Sequence, residues 1–139
     1  MTQVNLLTDM AVRISRFGKE NLDDILHLLT EAVQRITRQT RCRVYLEDLT
    51  LGQLVCEATS GRYPKRVREK TFPLNVDRFL VSRAYLTQEE AFISDISQLE
   101  DPVAREIAES FSIRASYLLP ILHHGRPIGV VCIDNSRTG

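Results

Sequence analysis

Two apolar, β-rich runs meet at a two-residue break in the last quarter of the chain, which reads IRASYLLPILHHGRPIGVVCIDN from Ile113 to Asn135. A short glycine-containing break between such runs signals a β-hairpin, and His124-Gly125 is the predicted loop. With that loop, Tyr117 faces Cys132, Leu119 faces Val130 and Ile121 faces Ile128. Leu118, Pro120 and Leu122 then share the other face with Gly129, Val131 and Ile133. Both faces are apolar. Such a hairpin belongs in the middle of a sheet covered on two sides.

The remaining order is α-α-β-β, an irregular middle, then β-β. Leu7, Met10, Ile14 and Phe17 recur at helical spacing over residues 3–17, and Gly18 stops that helix. A second helix runs from Leu22 to Gln39 on Leu22, Leu26, Leu29, Val33 and Ile36. The stripes of both helices are heptad-like, which points to a bundle made with a second copy of the chain. Cys42–Asp48 and Gln53–Ser60 form another hairpin around Thr50-Leu51-Gly52, with Cys42, Val44 and Leu46 on one face and Arg43, Tyr45 and Glu47 on the other.

Arg62–Lys70 carries five basic residues and one acidic. It reads as a solvated edge or loop, with Val67, Phe72 and Leu74 leading into a third strand. Residues Val76–Tyr85 read as a helix and Ala91–Ser94 as a short strand. Asp101 then caps a helix that Pro102 opens, with Val103, Ile107, Ala108 and Phe111 as its stripe.

Composition narrows the function classes. Lys and Arg balance Asp and Glu at 18 against 18, so no overall field favours nucleic acid or an anionic membrane. No apolar run approaches the roughly 20 residues that span a bilayer. The N-terminus lacks the features of a secretory signal, and a cytoplasmic setting is expected. Cys42, Cys56 and Cys132 are widely spaced and fall on predicted strands, which reads as three small buried hydrophobes. No nucleophile elbow, H-E-x-x-H helix, P-loop or C-x-x-C pair occurs, so no metal site and no enzymatic activity are expected.

The closing hairpin resembles that of GAF domains, the sensory modules of signalling proteins, through Ile113, Arg114, Ser116, Leu118, Pro120, Gly125, Ile128, Gly129, Val130 and Asp134. The middle is similar to the family's "L-V-x-x-A-x-x-T-G-x-x-x-x-I-x-D" pattern at Leu80, Val81, Ala84, Thr87, Ile93 and Asp95, with Gln88 where glycine is usual. The resemblance implies an α/β fold, a profilin-like three-layer α/β/α domain around an antiparallel sheet of five or six strands. It divides the chain into an N-terminal helix over 1–20, a dimerisation or signalling element, and a GAF-like domain over 21–139.

What the resemblance implies for function is a signal-input domain of a longer parent chain, such as a sensor kinase or transcriptional activator. An unidentified small molecule would bind under the strand connections and alter a homodimer built by the N-terminal helices. Carried onto this chain, the pocket would involve Tyr45, Phe79, Arg83, Phe92, Asp95, Arg114 and Ser116. Asp95 suits a turn cap as well, Arg114 an ordinary ion pair, and Phe79 and Phe92 the core. A covalent bilin is not expected, because Val103 and Ala104 stand where photoreceptor members carry Cys-His. The thiol turn of free-methionine-sulfoxide reductases is replaced by Leu80-Val81-Ser82-Arg83, which leaves a thiol redox enzyme a remote alternative. A ligand-free dimerisation or protein-interaction module, its pocket filled by Phe79, Phe92 and Tyr117, is the nearer one. The ligand itself, and any cofactor, stays unknown at this point.

Overall fold

Alternation, broken by one bulge at Glu57, shapes the first hairpin. The computed structural model describes residues 40–136, where β1 (Thr40–Asp48) pairs with β2 (Gln53–Ser60) across a tight connection. In that connection the Leu51 N–H donates to Asp48 Oδ1 at 3.0 Å. Next come the single helical turn α1 (Arg66–Glu69), the two-residue strand β3 (Phe72–Pro73), helix α2 (Leu80–Thr87) and β4 (Ala91–Ile93). A 3-10 turn (Ile96–Gln98), helix α3 (Pro102–Ser110), β5 (Ala115–His123) and β6 (Arg126–Asn135) complete the order. All pairings are antiparallel, and the six-stranded sheet runs β3-β2-β1-β6-β5-β4. The two helices expected within residues 3–39, and the dimer assigned to them, lie outside the described residues.

The central hairpin forms at the expected loop. His124 and Gly125 have φ of 52° and 76°, the paired positive values of a type I′ turn, which matches the right-handed twist of the flanking strands. The register departs from expectation after two pairs. His123 faces Arg126 and Leu122 faces Pro127, but Ile121 faces Gly129, so Ile128 is an extra residue in β6. This bulge moves every later pair by one: Leu119 faces Val131 and Tyr117 faces Ile133, not Val130 and Cys132. Since a one-residue slip exchanges sheet faces, Val130, Cys132 and Asp134 share the face of Leu118 and Ser116. Gly129 sits where β6 presses on β1. A Cβ there would lie 2.2 Å from the Tyr45 carbonyl oxygen.

Two buried clusters follow from the alternation. One unites Tyr45, Leu54, Leu118, Val130 and Cys132 of the sheet with Val67 of α1, Val81, Ala84 and Tyr85 of α2, and Ala108 of α3. All three described helices therefore cover this face. The other cluster, on the opposite face, comprises Cys42, Val44, Leu46, Ala58, Leu119, Ile121 and Val131, all from strands.

Two local expectations are corrected. Val67 belongs to a helical turn, not to a strand leading to Phe72. The helix expected from Val76 starts at Leu80, because Phe79 is extended (φ −92°, ψ 143°), and it runs on to Thr87. Its ring then meets Phe72 edge-on at 5.6 Å. Gln88, at the position where glycine is usual, closes the helix in the left-handed conformation with φ 58°.

Candidate functional site

Because Cys42, Val44 and Leu46 take one face of β1, Arg43, Tyr45 and Glu47 are thrown onto the other, beneath the helices. Arg43 is 4% exposed and Asp134 1%. Buried charges of this kind persist only when paired and hydrogen-bonded. Arg43 Nε donates to Asp134 Oδ2 at 2.6 Å and Nη2 to Oδ1 at 3.0 Å, a bidentate fork. Tyr63 Oη donates to Oδ2 at 2.5 Å and Ser116 Oγ to Oδ1 at 2.7 Å. The carboxylate thus accepts four hydrogen bonds, about as many as its two oxygens hold. A saturated carboxylate has no lone pair left for a metal or for a proton in transit.

Arg43 also donates from Nη1 to Tyr45 Oη at 3.1 Å, and its guanidinium lies 5.5 Å from the centre of the Phe111 ring. Burial pulls against its charge, but the Asp134 carboxylate, Cys132 and Tyr45 together outweigh that and raise its pKa. Burial, then Asp134, raises the Tyr63 phenol, so it stays a donor. At the far end of the same face, Glu47 accepts from Tyr85 Oη at 2.7 Å and from Arg126 Nη1 at 2.9 Å.

Above Arg43 lies a cavity of about 40 Å³, room for a few waters. Phe72, Phe79, Leu80 and Val81 form one side, Ile96, Ile113 and Leu118 another, and Ala104, Ile107 and Ala108 of α3, with Phe111 just past its end, the roof. Arg43 and Ser116 are its polar lining residues. Helix α3 starts as predicted: Asp101 Oδ1 accepts the Val103 N–H at 2.9 Å, with Pro102 in the first turn. Only Ala108 of this helix is fully buried. Its C-terminal end is held by Arg41, whose Nη2 donates to the Ser112 carbonyl at 2.5 Å while Nη1 reaches the Arg62 carbonyl at 3.0 Å. The other end has an exposed Arg78–Asp101 pair at 3.7 Å.

The residues singled out from the sequence separate here. Phe79 and Ser116 line the cavity, and Tyr45 is buried beside it, edge-on to Phe72 at 5.4 Å. Like Tyr45, the other four are not among its lining residues. Phe92 is 65% exposed and packs on Tyr117, on the opposite face of the sheet. Its ring, like that of Tyr117, therefore does not fill the cavity. Asp95 caps the 3-10 turn, accepting the Ser97 N–H at 3.0 Å and its hydroxyl at 2.7 Å; these bonds lower its pKa. Arg83 is exposed and donates to the Asp77 carbonyl at 3.2 Å, and Arg114 is exposed too. Sequence reasoning missed Arg43, Tyr63 and Asp134. The available signal was an arginine and an aspartate inside apolar strands, where each needs an opposite charge.

Thiol chemistry finds little support in this arrangement. Cys42, Cys56 and Cys132 are free and buried. Burial raises all three thiols, that of Cys132 to about 12, so the reactive thiolate is scarce near neutrality. Among the described residues no group of three or more His, Cys, Asp or Glu is placed to hold a metal.

The GAF-domain family profile matches residues 21–139. This chain is a member of the GAF domain family. Its fold is similar to the GAF domain of an Acinetobacter phosphoenolpyruvate-protein phosphotransferase, at TM-score 0.68 and 19% identity over 100% of this chain and 80% of that one. It is similar to the free methionine-R-sulfoxide reductase of Neisseria meningitidis, at TM-score 0.72 and 18% identity over 98% and 74%. It also resembles a methyl-accepting chemotaxis protein fragment, at TM-score 0.66 and 19% identity over 97% and 85%. Likenesses at these identities carry the fold alone. No curated protein sequence matches the chain significantly. GAF domains are typically regulatory modules of signalling proteins, although the fold also serves an enzyme. Among the described residues, no helix of this GAF domain is long and apolar enough to cross a membrane.

Proposed function

We propose that this GAF domain is a non-catalytic signal-input module that binds a small molecule between the Arg43 floor and the α3 roof. The observation that carries the reading is a buried guanidinium facing an apolar cavity with part of its donor capacity unused. A mostly apolar enclosure with a few placed polar groups is what a small-molecule site requires. A ligand shifts an equilibrium only through contacts that differ between two states. Helix α3 is the natural moving part, clasped at one end by Arg41 and seated through one fully buried residue. We place the output in a homodimer formed through residues 3–39, within a longer cytoplasmic signalling protein. The buried free thiols support a reducing compartment.

A second reading has its own support. The cavity of about 40 Å³ is far smaller than an ordinary small-molecule site, as in an interaction module that binds none. Native mass spectrometry of the purified protein, against its denatured mass, separates the two. A non-covalent adduct on a dimer is the expected result. A dimer with no adduct, and no melting-temperature rise with any member of a metabolite library, would leave the interaction module in its place.

A further inference from the structure

The buried pair itself restricts what the cavity accepts, and this inference rests on the sensor reading. Arg43 and Asp134 neutralise each other in a bidentate fork, 4% and 1% exposed. An anionic ligand would find a guanidinium whose charge is already matched, and would bring an uncompensated negative charge into an apolar enclosure. A cation would find Asp134 with all four of its acceptor positions taken by Arg43, Tyr63 and Ser116. Either charge would be desolvated without a partner, at heavy cost.

Donors are what the site has left. A guanidinium carries five N–H groups, and Arg43 uses three: two on Asp134 and one on Tyr45 Oη. Two remain, one on each terminal nitrogen, and Arg43 lines the cavity. We propose that the cavity selects a neutral, mostly apolar molecule that presents a carbonyl-type acceptor oxygen to these two N–H groups.

Admission of such a molecule is served by displacement of α3. The cavity adjoins two surface grooves through shared lining residues. One groove, about 360 Å³, shares Ile96 and Ile113 with the cavity, and the other, about 380 Å³, shares Ile107 and Phe111. A small outward movement of α3 therefore joins the cavity to existing space without disturbing the sheet.

Three probes of nearly identical shape, each an isopropyl group on a planar trigonal head, test the assignment: 3-methyl-2-butanone, isobutyrate and isobutyramidinium. Binding to the full chain is followed by NMR, through the Arg43 Nε–H signal and the methyl groups of Ala104 and Ile107. The ketone is expected to shift these signals saturably and to bind at least about tenfold more tightly than either ion, a ratio equivalent to about 1.4 kcal/mol. Ala104→Leu, which fills the cavity from the roof and leaves the ion pair intact, should abolish the shifts. Tighter binding of isobutyrate or isobutyramidinium at these same residues would overturn the neutral class while leaving the sensor reading in place. Failure of all three to perturb the cavity would overturn the neutral class, while the sensor reading is overturned by the absence of both adduct and library hit.

Discussion

Replacing Asp134 with alanine would leave Arg43 as a buried cation with a single side-chain hydrogen bond, the 3.1 Å contact to Tyr45. Tyr63 and Ser116 would lose their acceptor in the same step. Breaking a buried ion pair from one side costs about 3–5 kcal/mol. The three donors stranded here place Asp134→Ala at the upper end, near 5 kcal/mol. That equals the total stability of the weaker natural domains, about 5–15 kcal/mol. Urea unfolding near neutral pH, followed by far-ultraviolet circular dichroism, reads the loss directly. Asp134→Asn preserves shape but not charge, and should lose at least about 3 kcal/mol by the same argument. The double variant Arg43→Met/Asp134→Leu removes both charges but still strands the Tyr63 and Ser116 hydroxyls, and should recover about 1–3 kcal/mol of the loss. A loss under about 1 kcal/mol for Asp134→Ala would mean that the pair is screened like a surface bridge, and would refute the reasoning. So would a double variant as unstable as the singles, because packing and not charge would then be the cause.

Four further outcomes follow from the same structure. Gly129→Ala should cost about 3 kcal/mol or more by the same unfolding assay, because the new Cβ would meet the Tyr45 carbonyl at 2.2 Å and force β6 from β1. Gln88→Gly should raise stability by about 0.5–1 kcal/mol, since Gln88 holds φ 58° at the end of α2, where glycine is free of the Cβ penalty. Ellman's reagent should find no reactive thiol in the native protein at mildly alkaline pH and three after denaturation, because burial raises Cys42, Cys56 and Cys132. Stability should fall as pH rises above about 10, where unfolded tyrosines ionise while burial keeps native Tyr63 and Tyr85 protonated, the latter up to about 12. Protons are then bound more tightly by the native state, so stability decreases with pH, and Tyr63→Phe should flatten that decline.

The sequence made the alternating elements legible and left their partners hidden. Cys42, Val44 and Leu46 against Arg43, Tyr45 and Glu47 was readable because a strand repeats every two residues, and the observed clusters keep that division. Asp101-Pro102 announced α3 because a cap and its following proline are local chemistry. The β5–β6 register was not legible, since nothing near Ile128 specifies a bulge except the contact of Gly129 with β1. That one residue decides which face receives Asp134, and with it the floor of the cavity. Arg43 and Asp134 lie 91 positions apart, so each looked like an isolated charge in an apolar strand. Phe92 was assigned to the pocket by its place in a family pattern. Its direction depends on pairing with Tyr117, which the pattern does not encode.

A roof that opens is the central requirement, because a cavity of about 40 Å³ is far smaller than an ordinary ligand pocket. Native-state amide hydrogen exchange measures that opening residue by residue. The account predicts that the hydrogen-bonded amides of α3, such as Arg105 on the Asp101 carbonyl, exchange through local openings far less costly than those of β1, β5 and β6. Amides of α3 protected to the same level as the central strands would contradict it, and would leave a sealed domain with no route to its buried guanidinium.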